Sequence, residues 1–235
     1  MMASRRVKRS GMEIIMKIEL HAHTQESSPC GRILAEDALK LYHDAGYTGI
    51  CITDHYSKWV GESYGITEPD ILVENFLKGR HAAKKASSKY NMTVFDGIEV
   101  TLLESPNDYL IYGASDEFLR ANPALYTLSL RELYELCQRN NLLLVQAHPN
   151  RGYCTPANPD LLNGAEAYNG NPHHNNHNDK TFEWARKHNL IMTSGSDFHV
   201  LEQLARGGII CDKDIKETDE LIKLLKSQNY SLITE

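Results

Sequence analysis

Short apolar runs alternate with stretches whose apolar residues recur at helical spacing, and the alternation continues along nearly the whole chain. The runs predict strands at 17–20, 48–53, 93–99, 109–112, 142–147, 164–168, 190–194, 208–211 and 230–233. Helical spacing predicts helices near 33–45, 69–90, 129–139, 179–188 and 219–226. In the first of these, Leu34, Ala38, Leu41, Tyr42 and Ala45 share one face, and Gly46 is a C-terminal stop. Pro69-Asp70 is a helix start. Leu130, Leu133, Tyr134 and Cys137 form a core-facing stripe on the third helix. The run 142–147 is continuously apolar, as a strand buried on both faces would be. Such alternation argues for a parallel α/β sheet, either open and doubly wound or closed as a barrel.

The strand ends narrow that choice. His21 and His23 close the run Ile18-Glu19-Leu20; successive strand residues alternate faces, so the two imidazoles point the same way. Thr53-Asp54-His55 follows Gly49-Ile50-Cys51-Ile52, and Glu99 ends Val94-Phe95-Asp96-Gly97-Ile98. His148 ends the run 142–147 and precedes Pro149, which disfavours a helical backbone at the residue before it. Asp197 and His199 follow the strand 190–194, with Gly195 letting the backbone turn close to a site. Side chains from so many strand ends converge only if the ends surround one mouth, so an irregular β/α barrel is expected. Grouped imidazoles and carboxylates are the donors of a polynuclear metal site, and an acid such as Glu99 is costly to bury without a cation. Asp54 is either a ligand or the partner that fixes an imidazole tautomer.

The bulk composition agrees and excludes some classes. A chain of 235 residues that is 41% hydrophobic suits one globular domain with a sizeable core. A net charge of −6 is unlike the strongly basic footprint of a nucleic-acid coat. Five cysteines, at 30, 51, 137, 154 and 211, make no CxxC pair, so reduced thiols and a cytoplasmic location are expected. No stretch approaches the roughly 18 apolar residues of a membrane span. Residues 1–15 are read as a disordered extension, with Met16 as a candidate start.

Taken together, His21-Ala22-His23, Thr53-Asp54-His55, Gly97-Ile98-Glu99, Ala147-His148-Pro149 and Gly195-Ser196-Asp197-Phe198-His199 resemble the motifs of the PHP family, named for polymerase and histidinol phosphatase domains. They occur in the family's order. The resemblance implies a distorted (β/α)7 TIM-like barrel over 16–235 as a single PHP domain, holding two or three divalent ions (zinc, manganese, iron or magnesium). On that template His21, His23, Glu99 and Asp197 hold the first ion. Glu99 bridges to a second with His148, and His55 and His199 belong to a third. Asp108 stands where the family has a further histidine at the second ion. For the third, the segment after His23 offers Cys30, whose thiolate would favour zinc, or Glu26.

The expected activity is hydrolysis of a small phosphomonoester by hydroxide generated from water on a di- or trinuclear centre. Glu99, Asp197 and His199 are the candidate catalytic residues. Arg151, Arg206, His173, His174 and His177 are candidates for the substrate. The chain has no CxxxxxR loop, GxSxG elbow or P-loop. The alternatives are an exonuclease acting on short oligonucleotides, a protein tyrosine phosphatase, and a metal-binding accessory domain without turnover. Trp59 and Tyr64, after His55, hint at base stacking. His43, His81 and His188 fall on helices and are read as solvated.

Overall fold

The computed structural model describes residues 15–235. The extension read over 1–15 therefore lies, Ile15 apart, outside the described residues. The chain runs β1 (Met16–Ala22), α1 (Ala35–Asp44), β2 (Gly49–Ile52), β3 (His55–Tyr56), α2 (Lys58–Tyr64), α3 (Pro69–Ala86), β4 (Thr93–Thr101), β5 (Asp108–Tyr112), α4 (Asp116–Ala121), α5 (Leu130–Arg139), β6 (Leu143–Gln146), β7 (Gly164–Asn169), α6 (Asn178–Lys187), β8 (Ile191–Gly195), β9 (Ile209–Cys211), α7 (Thr218–Ser227) and β10 (Ser231–Leu232). Every element read from periodicity is present. The unforeseen ones, β3, α2 and α4, are two, seven and six residues long, too short for a period to show.

Local chemistry sets several of these boundaries. Ser129 and Glu132 form a reciprocal capping box that starts α5, worth about 1 kcal/mol. The Glu26 carboxylate accepts the Ala35 N–H at 3.0 and 3.1 Å and so anchors the start of α1. With the helix beginning at Ala35, Leu34 is left outside and 46% exposed. The buried face is Ala35, Ala38, Leu39 and Tyr42, rotated from the expected Leu34–Leu41 face.

The strand order β1-β2-β4-β5-β6-β7-β8 makes a nearly closed barrel-shaped sheet, with β9 and β10 continuing beyond β1 and β3 on β4. The expected parallel sheet needs correction at β5 and at the β9–β10 edge. β5 runs antiparallel to both β4 and β6. Only residues 102–107 join β4 to β5; a parallel crossover needs about a dozen. The reversal brings Asp108, the first residue of β5, opposite Thr101 at the end of β4. β9 is likewise antiparallel to β1.

β1 and the segment after β8 meet across the seam through an isolated parallel bridge between Ala22 and Phe198. The Phe198 carbonyl accepts the His23 N–H at 2.9 Å, and the His21 carbonyl accepts the Phe198 N–H at 3.2 Å. The buried Glu19 carboxylate accepts from the N–H groups of Leu20, His21 and Ser196 and from the hydroxyls of Tyr42 and Ser196. Those donors explain how an acid survives there. α7 packs Leu221, Ile222 and Leu225 into a cluster with Ile18, Leu110, Leu143 and Val145. Each such side chain contributes about 1.5–3 kcal/mol by leaving water.

Candidate metal centre

Because β3 runs parallel to β4, His55 is in register with Glu99, and its Nδ1 lies 2.7 Å from Glu99 Oε2. The other Glu99 oxygen, Oε1, is 3.2 Å from His148 Nε2 and 3.3 Å from His21 Nε2. His23 Nε2 is 3.5 Å from Glu99 Oε2 and 3.4 Å from Asp197 Oδ1, which is also 3.5 Å from His21 Nε2. Asp108 Oδ2 stands 3.9 Å from His148 Nε2. The His23 ring packs against those of His55 and His199, at 4.1 and 4.0 Å, and these two lie 5.5 Å from each other. The fold thus draws His21, His23, His55, Glu99, Asp108, His148, Asp197 and His199 into one cluster. His55 and His199 are partly exposed and the rest buried.

The electrostatics follow from packing imidazoles against carboxylates. Burial alone would raise the Glu99 carboxyl; the charges on His21 and His55 outweigh it and hold Glu99 well below the usual range. Asp197 is held low against burial in the same way, by His21 and Arg151. Burial, with repulsion from His199 and His55, pushes the His23 imidazole well below its ordinary value. Burial disfavours the Cys30 thiolate, but hydrogen bonds from His199 and His55 win and lower the thiol to about 6.

A surrounding layer orients these groups. Glu166 Oε1 lies 2.8 Å from His21 Nδ1, and its Oε2 accepts the His148 N–H at 3.0 Å. An ionised carboxylate only accepts, so Glu166 turns His21 Nε2 toward the cluster. Asp54 accepts from the Thr24 N–H and from the hydroxyls of Thr24 and Ser28, and Ser28 Oγ is 3.4 Å from His23 Nδ1. Of its two readings, the structure therefore favours the orienting partner. Gly195 passes so close that a Cβ would sit 2.4 Å from His21 Cβ and 2.7 Å from Glu166 Oε1. His148 and Asp197 adopt φ of 29° and 53°, uncommon for non-glycine residues and a hallmark of over-determined sites. At His148 this replaces the extended backbone expected before Pro149.

Glu166 and Cys154 were missed at the sequence level. Glu166 lies inside a strand rather than at its end. Cys154 Sγ is 3.7 Å from His148 Nδ1, and a lone cysteine on a loop carries no signal.

A cavity of about 340 Å³ opens over the cluster, lined by Cys30, His55, His148, Arg151, Tyr153, His173, His174, Asp197 and His199 among others. Arg151 is less free than expected. It donates to Asp197 Oδ2 at 2.6 Å, Asn176 at 2.8 Å and Asn169 at 3.1 Å, leaving NH1, which is 3.5 Å from the Tyr153 hydroxyl. Arg206 and His177 are not brought to this cavity. They line a separate one with Glu235, to which the Arg206 guanidinium is paired. Glu26 is occupied at α1. His43 and His188 are exposed, whereas half-exposed His81 pairs with Asp116 at 2.5 Å.

Divalent ions fit this donor set. His21 Nε2, His23 Nε2 and Glu99 Oε2 are buried without a properly directed hydrogen bond among the described residues. Each such atom costs about 1–3 kcal/mol, and a cation would satisfy all three. Three groups bring donor atoms within 4.8 Å of one another: His21, His23 and Asp197; His21, Glu99 and His148; and His23, His55 and His199. A fourth joins Asp108, His148 and Cys154. Mixed nitrogen and oxygen donors suit zinc, manganese or iron.

Comparison with known proteins accords with the architecture. The PHP-associated family matches residues 175–230. None of the curated proteins matches the chain. Among solved structures, the chain is similar to a two-domain protein from Bacteroides vulgatus containing a predicted PHP-like metal-dependent phosphoesterase, at TM-score 0.68 and 15% identity over 99% of this chain and 70% of that one. It is similar to PsfC from Pseudomonas syringae at TM-score 0.67 and 17% identity, covering 94% and 92%. It is also similar to the lesion-specific endonuclease PfuEndoQ from Pyrococcus furiosus, at TM-score 0.61 and 10% identity, covering 93% and 58%. The barrel and the PHP-associated match over residues 175–230 accord with the resemblance of the five motifs to the PHP family.

Proposed function

We propose that the protein is a metal-dependent phosphoesterase hydrolysing a small phosphomonoester. One observation carries the reading: a single buried carboxylate, Glu99, is shared by His21, His55 and His148 at 3.3 Å or less, beside the His21 and His23 Nε2 atoms, which make no directed hydrogen bond among the described residues. In this reading His21, His23, Asp197 and Glu99 hold one divalent ion. Glu99, His148 and Asp108 hold a second, and His55, His199 and Cys30 a third. Divalent ions held by these residues would supply charge neutralisation at phosphoryl oxygens and acidification of water.

The chain's own groups supply the rest. Glu166 and the Asp54–Ser28 pair fix the His21 and His23 rings, and Arg151 fixes Asp197. Arg151 NH1 remains for a phosphoryl oxygen. His173 and His174 line the cavity, and in this reading they contact the substrate there; burial and the Arg151 charge hold the His174 imidazole below its ordinary value, which disfavours it as a proton donor. Five cysteines without a disulfide support a cytoplasmic setting. A short phosphodiester is the second reading, favoured by the half-exposed rings of Trp59 and Tyr153 near the centre.

The test is metal analysis of purified protein joined to phosphate release from a broad panel of monoesters and dinucleotides. Two or three bound equivalents with metal-dependent hydrolysis of monoesters support the reading. Protein that takes up no divalent ion under any loading, or hydrolyses no ester, overturns it.

A further inference from the structure

Two aromatic rings stand half-exposed beside the centre, one on each side of Glu99. Trp59 is 52% exposed, and its ring lies 6.4 Å from that of His55 at 83°. Tyr153 is 51% exposed, and its ring lies 6.4 Å from that of His148 at 67°. His55 and His148 contact opposite oxygens of Glu99. Contacts therefore run from Trp59 through His55, Glu99 and His148 to Tyr153.

Neither ring is loosely held. The Ser57 hydroxyl caps α2 by accepting the Val60 N–H, and Val60 is buried, so the turn that points Trp59 outward is anchored. Tyr153 lies between buried Arg151 and buried Cys154, and the Arg151 carbonyl accepts the Cys154 N–H at 2.7 Å. The Tyr153 hydroxyl meets Arg151 NH1 at 3.5 Å, leaving the ring faces unengaged by that contact. Tyr153 lines the polar cavity over the centre, and Trp59 meets its wall at His55; large aromatic faces kept at the surface by anchored segments there match the chemistry that grips bases by stacking. A glycerol or sugar moiety offers such rings no π-face.

We propose that Trp59 and Tyr153 are specificity-determining flanks that stack a nucleobase of the substrate while its phosphate sits over Glu99. This rests on the phosphoesterase reading above. The net charge of −6 argues against a long polynucleotide, leaving a nucleotide or very short oligonucleotide as the source of the base.

The chain has two tryptophans, Trp59 and Trp184. In metal-loaded Trp184→Phe protein, emission reports on Trp59 alone. Quenching by AMP or an adenine dinucleotide, and not by inorganic phosphate or glycerol phosphate, is the expected result. Trp59→Ala and Tyr153→Ala should each lower kcat/KM for the dinucleotide roughly 10- to 100-fold, mainly through KM and by far more than for glycerol phosphate, whereas Tyr153→Phe, which keeps the ring and loses only the contact with Arg151, should retain dinucleotide activity. Trp59→Phe should restore most of the loss. Loss at both flanks with the dinucleotide but at one with AMP identifies the oligonucleotide as the source; equal losses identify the mononucleotide. Losses as large for glycerol phosphate, or the absence of both quenching and selective loss, overturn the proposal while leaving the phosphoesterase reading intact. Base-specific quenching without hydrolysis of any ester supports the flanks and overturns the phosphoesterase reading instead.

Discussion

His55 and Glu99 face each other in the two-residue pairing of β3 with β4, and their side chains meet at 2.7 Å. This short strand turns a loop histidine into a neighbour of the carboxylate on which the whole cluster converges. Glu99 is also in contact range of His21, His23 and His148. Replacing Glu99 by Gln keeps the shape and removes the charge. The expected outcome is loss of at least one bound equivalent of metal and a fall in phosphate release of at least about 1,000-fold. Metal analysis beside initial rates checks both.

Glu166 holds His21 Nδ1 at 2.8 Å. Glu166→Gln keeps the volume but offers an amide in place of a strong acceptor. Metal affinity should fall about 10- to 100-fold with the fold intact. A competitive chelator titration reads the affinity and circular dichroism the fold.

Arg151 is buried against Asp197 at 2.6 Å and is held by Asn169 and Asn176. Arg151→Met would leave Asp197 without its guanidinium partner. Metal-free protein should lose about 3–5 kcal/mol. Urea unfolding measures this, and Arg151→Lys should recover only part of it because a single ammonium cannot span three acceptors.

Gly195→Ala would put a methyl group 2.4 Å from His21 Cβ. The same methyl would lie 3.2 Å from the His21 backbone nitrogen, so the clash falls on β1 itself. A loss of about 1–3 kcal/mol in stability is expected, with weakened metal binding, because the strain falls on His21. Thermal unfolding with and without added zinc separates the two effects.

The Cys30 thiol, lowered to about 6 in the metal-free protein, should be mostly thiolate at pH 7. Burial pushes Cys51, Cys137, Cys154 and Cys211 the other way. Iodoacetamide at pH 7 should therefore label Cys30 selectively. Since the thiolate is the reacting form, the rate should fall as pH drops through about 6 rather than through the ordinary thiol value near 8.5. Saturating zinc should protect it. Peptide mapping reads the site, and labelling unaffected by zinc would remove Cys30 from the centre.

Much of this could be read along the chain, because strand periodicity and a polar residue at each strand end are local properties. His21, His23, His55, Glu99, His148, Asp197 and His199 all announced themselves that way. Short elements could not: α2 and α4 lack a full period, and β3 exists only because β4 offers it an edge. Glu166 looked like one polar residue inside an apolar strand. Arg151 looked like a loop charge free for phosphate, and only the fold reveals Asp197 across from it.

The order of apolar and polar positions by itself determined which segments become strands and helices and which residues bring donor atoms to their ends. The tertiary structure alone decided that β5 runs backwards and delivers Asp108, that Arg206 turns to Glu235 while Arg151 turns to Asp197, and that Trp59 and Tyr153 flank one carboxylate. The division has a physical cause. Backbone pattern and burial depend on neighbours in sequence, whereas partners for charge and hydrogen bonds are chosen by proximity in space across the closed sheet.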